Sequence, residues 1–120
     1  MKPAFVAVLL LAAAVLAPGT VRAADRSAER QVGFGLQVAQ KGLWQEARFR
    51  FERAVELDPQ NASALNNLAV ACEQMGEFDK ARQAYEKALA LKPSDIYIQQ
   101  NFDLFREADD KRNRKSRRKK

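Results

Sequence analysis

One block of the sequence returns after a fixed interval. The segment that ends at Pro93 repeats the segment that ends at Pro59, at an offset of 34 residues. A period between about 20 and 50 residues is typical of stacked supersecondary units, each of which buries an apolar face against the next. The repeat therefore predicts a scaffold that holds a partner, not a reaction centre. The matching pairs are Gly42 and Gly76, Trp44 and Phe78, Ala47 and Ala81, Phe51 and Tyr85, Ala54 and Ala88, Leu57 and Leu91, and Pro59 and Pro93.

Each unit reads as two helices joined by a turn. Leu65, Leu68 and Cys72 follow the i, i+3, i+7 spacing of one helix face. Gly76 then permits the positive φ of a turn, and a second apolar period runs from there to the helix-ending Pro93. Asparagine and aspartate accept hydrogen bonds from the free N–H groups of a helix start, so we expect N-caps at Asn61 and Asp95.

Small residues face rings between the paired helices. Ala81 and Ala47 leave room for two backbones to approach, and Tyr85 and Phe51 fill the space beside them. We therefore expect both rings to be buried at the helix–helix contacts.

These residues make the chain resemble the tetratricopeptide repeat family. The segment LNNLAVACEQMGEFDKARQAYEKALALKP is a close match and QVGFGLQVAQKGLWQEARFRFERAVELDP a looser one. The resemblance implies an all-α fold, a short α-solenoid of two helix-turn-helix repeats with a C-terminal capping helix. Its predicted parts are repeat 1 at 28–61, repeat 2 at 62–95 and the capping helix at 96–110.

The first unit departs from the family pattern. Gln31 stands where the family usually carries a large apolar residue, and Gly33 and Gly35 each weaken a helix by about 1 kcal/mol relative to alanine. Two units and a cap also fall short of the three repeats that usually make such a stack self-sufficient. We expect marginal stability, burial against a partner, or self-association.

The resemblance also implies where a partner binds. In the family, the first helices of successive units line a concave groove that receives an extended peptide or a helix. Asn67 and Asn101 are 34 positions apart, so both amides are expected to point into this channel and read a peptide backbone. The alternative is that they only bond neighbouring helices or water. The implied lining is Val32, Leu36, Ala39, Asn66, Asn67, Val70, Glu73, Gln100, Asn101, Leu104 and Glu107.

The composition of this lining suggests the type of ligand. Val32 and Leu36 occupy the places where some family members bind a terminal carboxylate through lysine and asparagine. Aliphatic and amide groups beside Glu73 and Glu107 favour an apolar or mildly basic segment.

The start of the chain has the layout of a secretory signal peptide. A basic Lys2 precedes an apolar run from Phe5 to Ala17, and small residues end at Ala23. The run is shorter than the roughly 20 residues that span a bilayer, so an uncleaved anchor is the lesser alternative. We expect a signal segment at 1–23, a short linker at 24–27, and export to the periplasm or cell envelope.

Charge is divided unevenly along the chain. All 15 acidic residues lie between Asp25 and Asp110, whereas the last ten residues are basic or neutral. So charged a tail is expected to be disordered. It is expected to be solvated, to bind an anionic membrane or polymer, to dock on the acidic body or, least favoured, to bind nucleic acid. Its cations are Lys111, Arg112, Arg114, Lys115, Arg117, Arg118, Lys119 and Lys120.

The residue inventory argues against catalysis. The chain has no histidine and a single cysteine, Cys72, expected to be a small buried hydrophobe and not a redox thiol. No glycine-rich phosphate loop or metal-ligand cluster is present, so we expect no enzyme, metal or cofactor. The sequence predicts a protein–protein interaction module of the cell envelope, and as alternative a peripheral binder of anionic membranes or polymers.

Overall fold

The computed structural model describes residues 18–120, with side chains at residue 23 and from residue 26 onward. The predicted signal segment up to residue 17 lies outside the described part. The helices are α1 (Pro18–Gln40), α2 (Trp44–Leu57), α3 (Ala62–Gln74), α4 (Phe78–Leu91) and α5 (Ile96–Arg118), and the described residues contain no strand. The predicted all-α fold, two helical hairpins and a capping helix, is confirmed.

The turns and caps form where the sequence places them. Gly42 and Gly76 have φ of 75° and 74°, a backbone region that favours glycine, and each ends the turn between paired helices. The Asn61 side chain accepts a hydrogen bond from the backbone N–H of Ala64, and Asp95 accepts two at the start of α5. Both predicted N-caps are confirmed.

The core alternates rings with alanines. Phe51 is buried with Ala47 and Ala71, and Tyr85 is buried with Ala69 and Ala81. Large side chains therefore meet small ones across each helix pair, as predicted, and the backbones approach closely.

Equivalent residues join one unit to the next. Leu68 of α3 contacts both the Phe51 cluster of the first hairpin and the Tyr85 cluster of the second. Phe102, 34 residues later in α5, stacks on Tyr85 at 5.5 Å between ring centroids. The capping helix thus packs on the second hairpin as the second hairpin packs on the first.

The first helix starts earlier than predicted. α1 includes residues 24–27, which the sequence analysis assigns to a linker, and residues 18–23 of the predicted signal segment. The stretch AADRSAER contains alanine, arginine and glutamate, which are strong helix formers, and no glycine or proline. Helix propensity therefore carries α1 through the predicted boundary.

The basic tail also differs from expectation. It is helical to Arg118 in the structure, as a continuation of α5, and not disordered. Lysine and arginine are good helix formers, and cations near a helix C-terminus interact favourably with its dipole. The tail is also fixed at its base by contacts of Arg112 with α4, which offset the mutual repulsion of its charges.

Cys72 is buried between α3 and α4 in the Tyr85 cluster. Burial raises the pKa of its thiol, with opposing and smaller effects from Arg48 and other charges. A buried, protonated thiol is inert, so the prediction of a small buried hydrophobe is confirmed.

Candidate partner-binding groove

The first helices of the units form one continuous face. α3 lies between α1 and α5 and contacts both. A hydrogen bond from Asn101 Nδ2 to Asn66 Oδ1, 3.2 Å long, shows which sides of α3 and α5 meet. Residues three or four positions further along each helix share that side, namely Val70 on α3 and Leu104 on α5.

An aliphatic row crosses this face. Leu36, Val70 and Leu104 are 34 residues apart in sequence and lie on α1, α3 and α5. Leu36 is 44% exposed and Leu104 is 66% exposed, while Val70 is half-buried. Side chains this apolar are commonly left in water singly, but a row in one register is an organised surface.

The asparagines behave differently from the prediction. Asn101 was expected to share the channel with Asn67, but its amide donates to Asn66. For Asn101 the alternative interpretation, a bond to a neighbouring helix, is therefore the observed one. Asn67 is half-buried, and no hydrogen bond of its side chain is seen within the described part of the chain.

An acidic edge borders the aliphatic row. Glu73 and Glu107 each follow a member of the row by three residues. The Tyr85 hydroxyl donates to Glu73 Oε2 at 3.1 Å, and Lys111 Nζ lies 3.1 Å from Glu107 Oε1. Burial, then the charge of Glu73 and its hydrogen bond, raise the pKa of Tyr85, so the hydroxyl stays protonated and holds Glu73 in place.

The remaining predicted residues divide into two groups. Val32 and Ala39 are half-buried against the core of the first hairpin and offer little surface to a ligand. Gln100 is exposed on α5. The sequence analysis did not single out Tyr97, which is 75% exposed and three residues before Gln100. Its place in the 34-residue register, in line with Ser63, was the available signal.

The base of the basic segment is fixed to α4 by a buried carboxylate. Asp109 accepts hydrogen bonds from Arg82 of α4 and from Arg112, and the Arg112 guanidinium lies 3.5 Å from the centroid of the Phe78 ring. Burial alone would raise the pKa of Asp109, but the two arginines outweigh it by hydrogen bonding and charge, and the pKa is lowered. This clamp orients the last turns of α5.

Beyond the clamp the cations are exposed. Arg114 bonds only the backbone carbonyl of Asp110, and no acidic partner is seen within residues 18–120 for Lys115, Arg117 or Arg118. Lys119 and Lys120 follow the helix and are exposed too. A concentrated positive surface of this kind attracts anions at long range.

Other kinds of site are not seen in the described residues. From residue 18 onward, no group of three or more potential metal ligands lies close enough together to hold an ion. In that same part of the chain, no helix combines the length and apolarity needed to cross a bilayer.

Comparisons with known sequences point to one family. The tetratricopeptide repeat family matches residues 62–95, and a second description, TPR repeat, matches residues 35–76. The probable UDP-N-acetylglucosamine–peptide N-acetylglucosaminyltransferase SPINDLY of Solanum lycopersicum is 33% identical over 70 residues, which are 58% of this chain and 8% of that protein. The type IV pilus assembly protein PilF of Pseudomonas aeruginosa is 29% identical over 86 residues, which are 72% of this chain and 34% of that protein. The chain thus spans a small part of the length of these relatives.

Solved structures share the fold. The Arabidopsis OM64 TPR domain superposes with a TM-score of 0.67 at 21% identity, covering 71% of this chain and 70% of that one. The crystal structure of MamA protein gives a TM-score of 0.65 at 32% identity, covering 75% of this chain and 49% of that one. Domains of this type generally mediate protein–protein interaction and are typically non-catalytic. This chain belongs to the tetratricopeptide repeat family.

Proposed function

We propose that this chain is a non-catalytic interaction module that holds a peptide or helix of a partner protein in its concave groove. The aliphatic row carries the proposal, because it places exposed apolar side chains in register on three adjacent helices. Covering apolar surface is worth about 25 cal/mol per Å². The row therefore gives a partner a continuous source of affinity.

The proposed setting is the bacterial cell envelope, where the chain would act as an assembly factor. Support comes from the signal-like composition of residues 1–23 and from the similarity to a protein named for pilus assembly. Fractionation of cells and N-terminal sequencing of the mature chain test the export step. A chain recovered from the cytoplasm with Met1 intact would count against it.

The groove is tested by partner capture with matched variants. The tagged chain is used to capture proteins from cell envelopes, alongside Leu104→Ser in the groove and Phe49→Ser on α2. Phe49 is 56% exposed and lies outside the first helices of the units, so it controls for loss of apolar surface. We expect Leu104→Ser to lose the partner and Phe49→Ser to keep it. Equal capture by both variants would contradict a groove function.

A second candidate function is binding of an anionic membrane or polymer through the end of α5. The observation that favours it is the cluster of exposed cations beyond the Asp109 clamp. Each cation near an anionic bilayer contributes about 1 kcal/mol. The segment KRNRKSRRKK has no apolar residue, so such binding would be electrostatic and without insertion.

Salt dependence separates the two functions. Binding to vesicles with anionic lipid should weaken steeply as salt rises, and it should disappear when residues 111–120 are deleted. Binding of the protein partner should survive that deletion. Vesicle binding that is unchanged by the deletion would exclude the second candidate.

A further inference from the structure

The groove offers few groups that could bond a partner's backbone. The amide of Asn101 already donates to Asn66, so this pair is engaged in the fold. An extended peptide leaves its N–H and C=O groups to be satisfied by its receptor or by water. A helix satisfies these groups internally, so it can cover an apolar row without such help.

The spacing of the aliphatic row also fits a helix. Leu36, Val70 and Leu104 lie on successive packed helices, whose axes are about 8–10 Å apart at contact. Seven residues of an α-helix rise about 10.5 Å, so side chains at i, i+7 and i+14 reach all three positions. Side chains on one face of a strand recur at about 6.7 Å, out of step with the row. A polyproline helix, at about 9.3 Å per turn, is in step but carries no internal hydrogen bonds.

Charge defines the flank of the ligand. Glu73 and Glu107 are in the same 34-residue register as the row and form its acidic edge. Glu73 is positioned by the Tyr85 hydroxyl, which leaves its negative charge uncompensated. Glu107 is paired with Lys111, but this exposed pair is worth little and can exchange for a ligand cation.

We infer that the partner segment is a basic amphipathic α-helix, with aliphatic side chains seven residues apart on the aliphatic row and lysine or arginine beside them on the acidic edge. This inference rests on the proposed groove function and adds the chemistry of the occupant. The helix runs across α1, α3 and α5, so it needs both ends of the row.

Three synthetic peptides of about 18 residues test it by fluorescence anisotropy. The first is a helix with leucine at every seventh position and flanking lysines. The second replaces those lysines with glutamate. The third keeps the composition of the first but has prolines that force a polyproline conformation.

Variants of the full chain locate the binding. Leu36→Ser and Leu104→Ser remove the two ends of the row, and Phe49→Ser is the control outside it. Glu73→Gln with Glu107→Gln removes the acidic edge, while the glutamine at 73 can still accept from Tyr85. Glu86→Gln, on the exposed side of α4, controls for the loss of an acidic charge elsewhere.

We expect the basic helix to bind at least about tenfold more tightly than its acidic twin and than the proline peptide. Each leucine substitution should weaken it about tenfold or more, the double glutamine variant should reduce its salt dependence, and both controls should leave it unchanged. If the acidic or the proline peptide binds as tightly and still depends on Leu104, the helix inference is overturned and the groove function stands. If no peptide binds in a way that depends on Leu36 or Leu104, both are overturned.

Discussion

Gly35 of α1 lies directly against the ring of Phe51 of α2, and a Cβ at this glycine would overlap the ring. Gly33, on the same helix, faces open space. The two glycines look alike in sequence as weak points of the first helix, but only Gly35 is required for the helices to approach. The first hairpin therefore closes around one missing methyl group.

Alanine substitutions at these two glycines should have opposite effects. Gly35→Ala is expected to overpack the contact with Phe51 and to lower the free energy of unfolding by about 1–3 kcal/mol, less a small gain in helix propensity. Gly33→Ala should raise it by up to about 1 kcal/mol. Urea unfolding of both variants beside the unchanged chain measures this. A loss of similar size at both positions would contradict the assigned packing.

The two asparagines predicted for the groove should also separate. Asn101→Ala removes the donor to Asn66 and should cost about 1 kcal/mol of stability. Asn67→Ala removes no observed bond and should change stability by less than about 0.5 kcal/mol. Chemical unfolding with circular dichroism tests both. Equal costs would mean that Asn67 is also part of the fold.

The Asp109 clamp should make stability depend on pH. Its pKa is lowered from the ordinary value of 3.8, so the carboxylate stabilises the folded chain at neutral pH, and this contribution is lost as pH falls through the lowered folded pKa. Asp109→Asn is expected to cost about 1–3 kcal/mol at pH 7. The difference between Asp109→Asn and the unchanged chain should shrink toward zero in strong acid.

The control for this clamp is Asp103→Asn, which removes a carboxylate from an exposed ion pair with Arg106. It should change stability by less than about 1 kcal/mol at either pH. Urea titrations at neutral pH and in strong acid provide both comparisons. A pH-independent cost of Asp109→Asn would argue against the clamp.

Cys72 should react with thiol reagents only when the fold opens. Its side chain is buried and burial raises its pKa, so little thiolate is present and none is accessible. We expect slow labelling in water and a rate that increases with urea in step with unfolding. A surface control is Ser94→Cys in a Cys72→Ala background, which should label at once. Rapid labelling of Cys72 in the folded chain would restore the redox interpretation.

Stability should also report on self-association, which stays a prediction. A chain of two repeats and one cap gains if a second copy covers exposed apolar surface. In that case the midpoint of thermal unfolding should rise with protein concentration. A high midpoint that is independent of concentration would show that the short array is stable alone.

The repeat made the hydrophobic core predictable. Phe51 and Tyr85 are buried, and Gly42 and Gly76 adopt positive φ, because each follows from a pattern that occurs twice. Contacts that occur once were not predictable. The pairing of Asn101 with Asn66, and not with the register partner Asn67, depends on how α5 sits against α3.

The end of the chain shows a second limit. Composition predicts disorder after Asp110, because a dense run of like charges opposes compact structure. Composition does not contain the Asp109 clamp, which needs Arg82 from another helix and the ring of Phe78 under Arg112. Local helix propensity and one tertiary anchor decide the conformation instead.

Site-specific photo-crosslinking in living cells tests the central claim most directly. A photoreactive residue is placed in turn at Leu36, Leu104 and the control position Phe49. The account predicts that Leu36 and Leu104 crosslink to one and the same partner protein and that Phe49 does not. A partner that crosslinks at Phe49 and at neither leucine would contradict the groove as the binding surface.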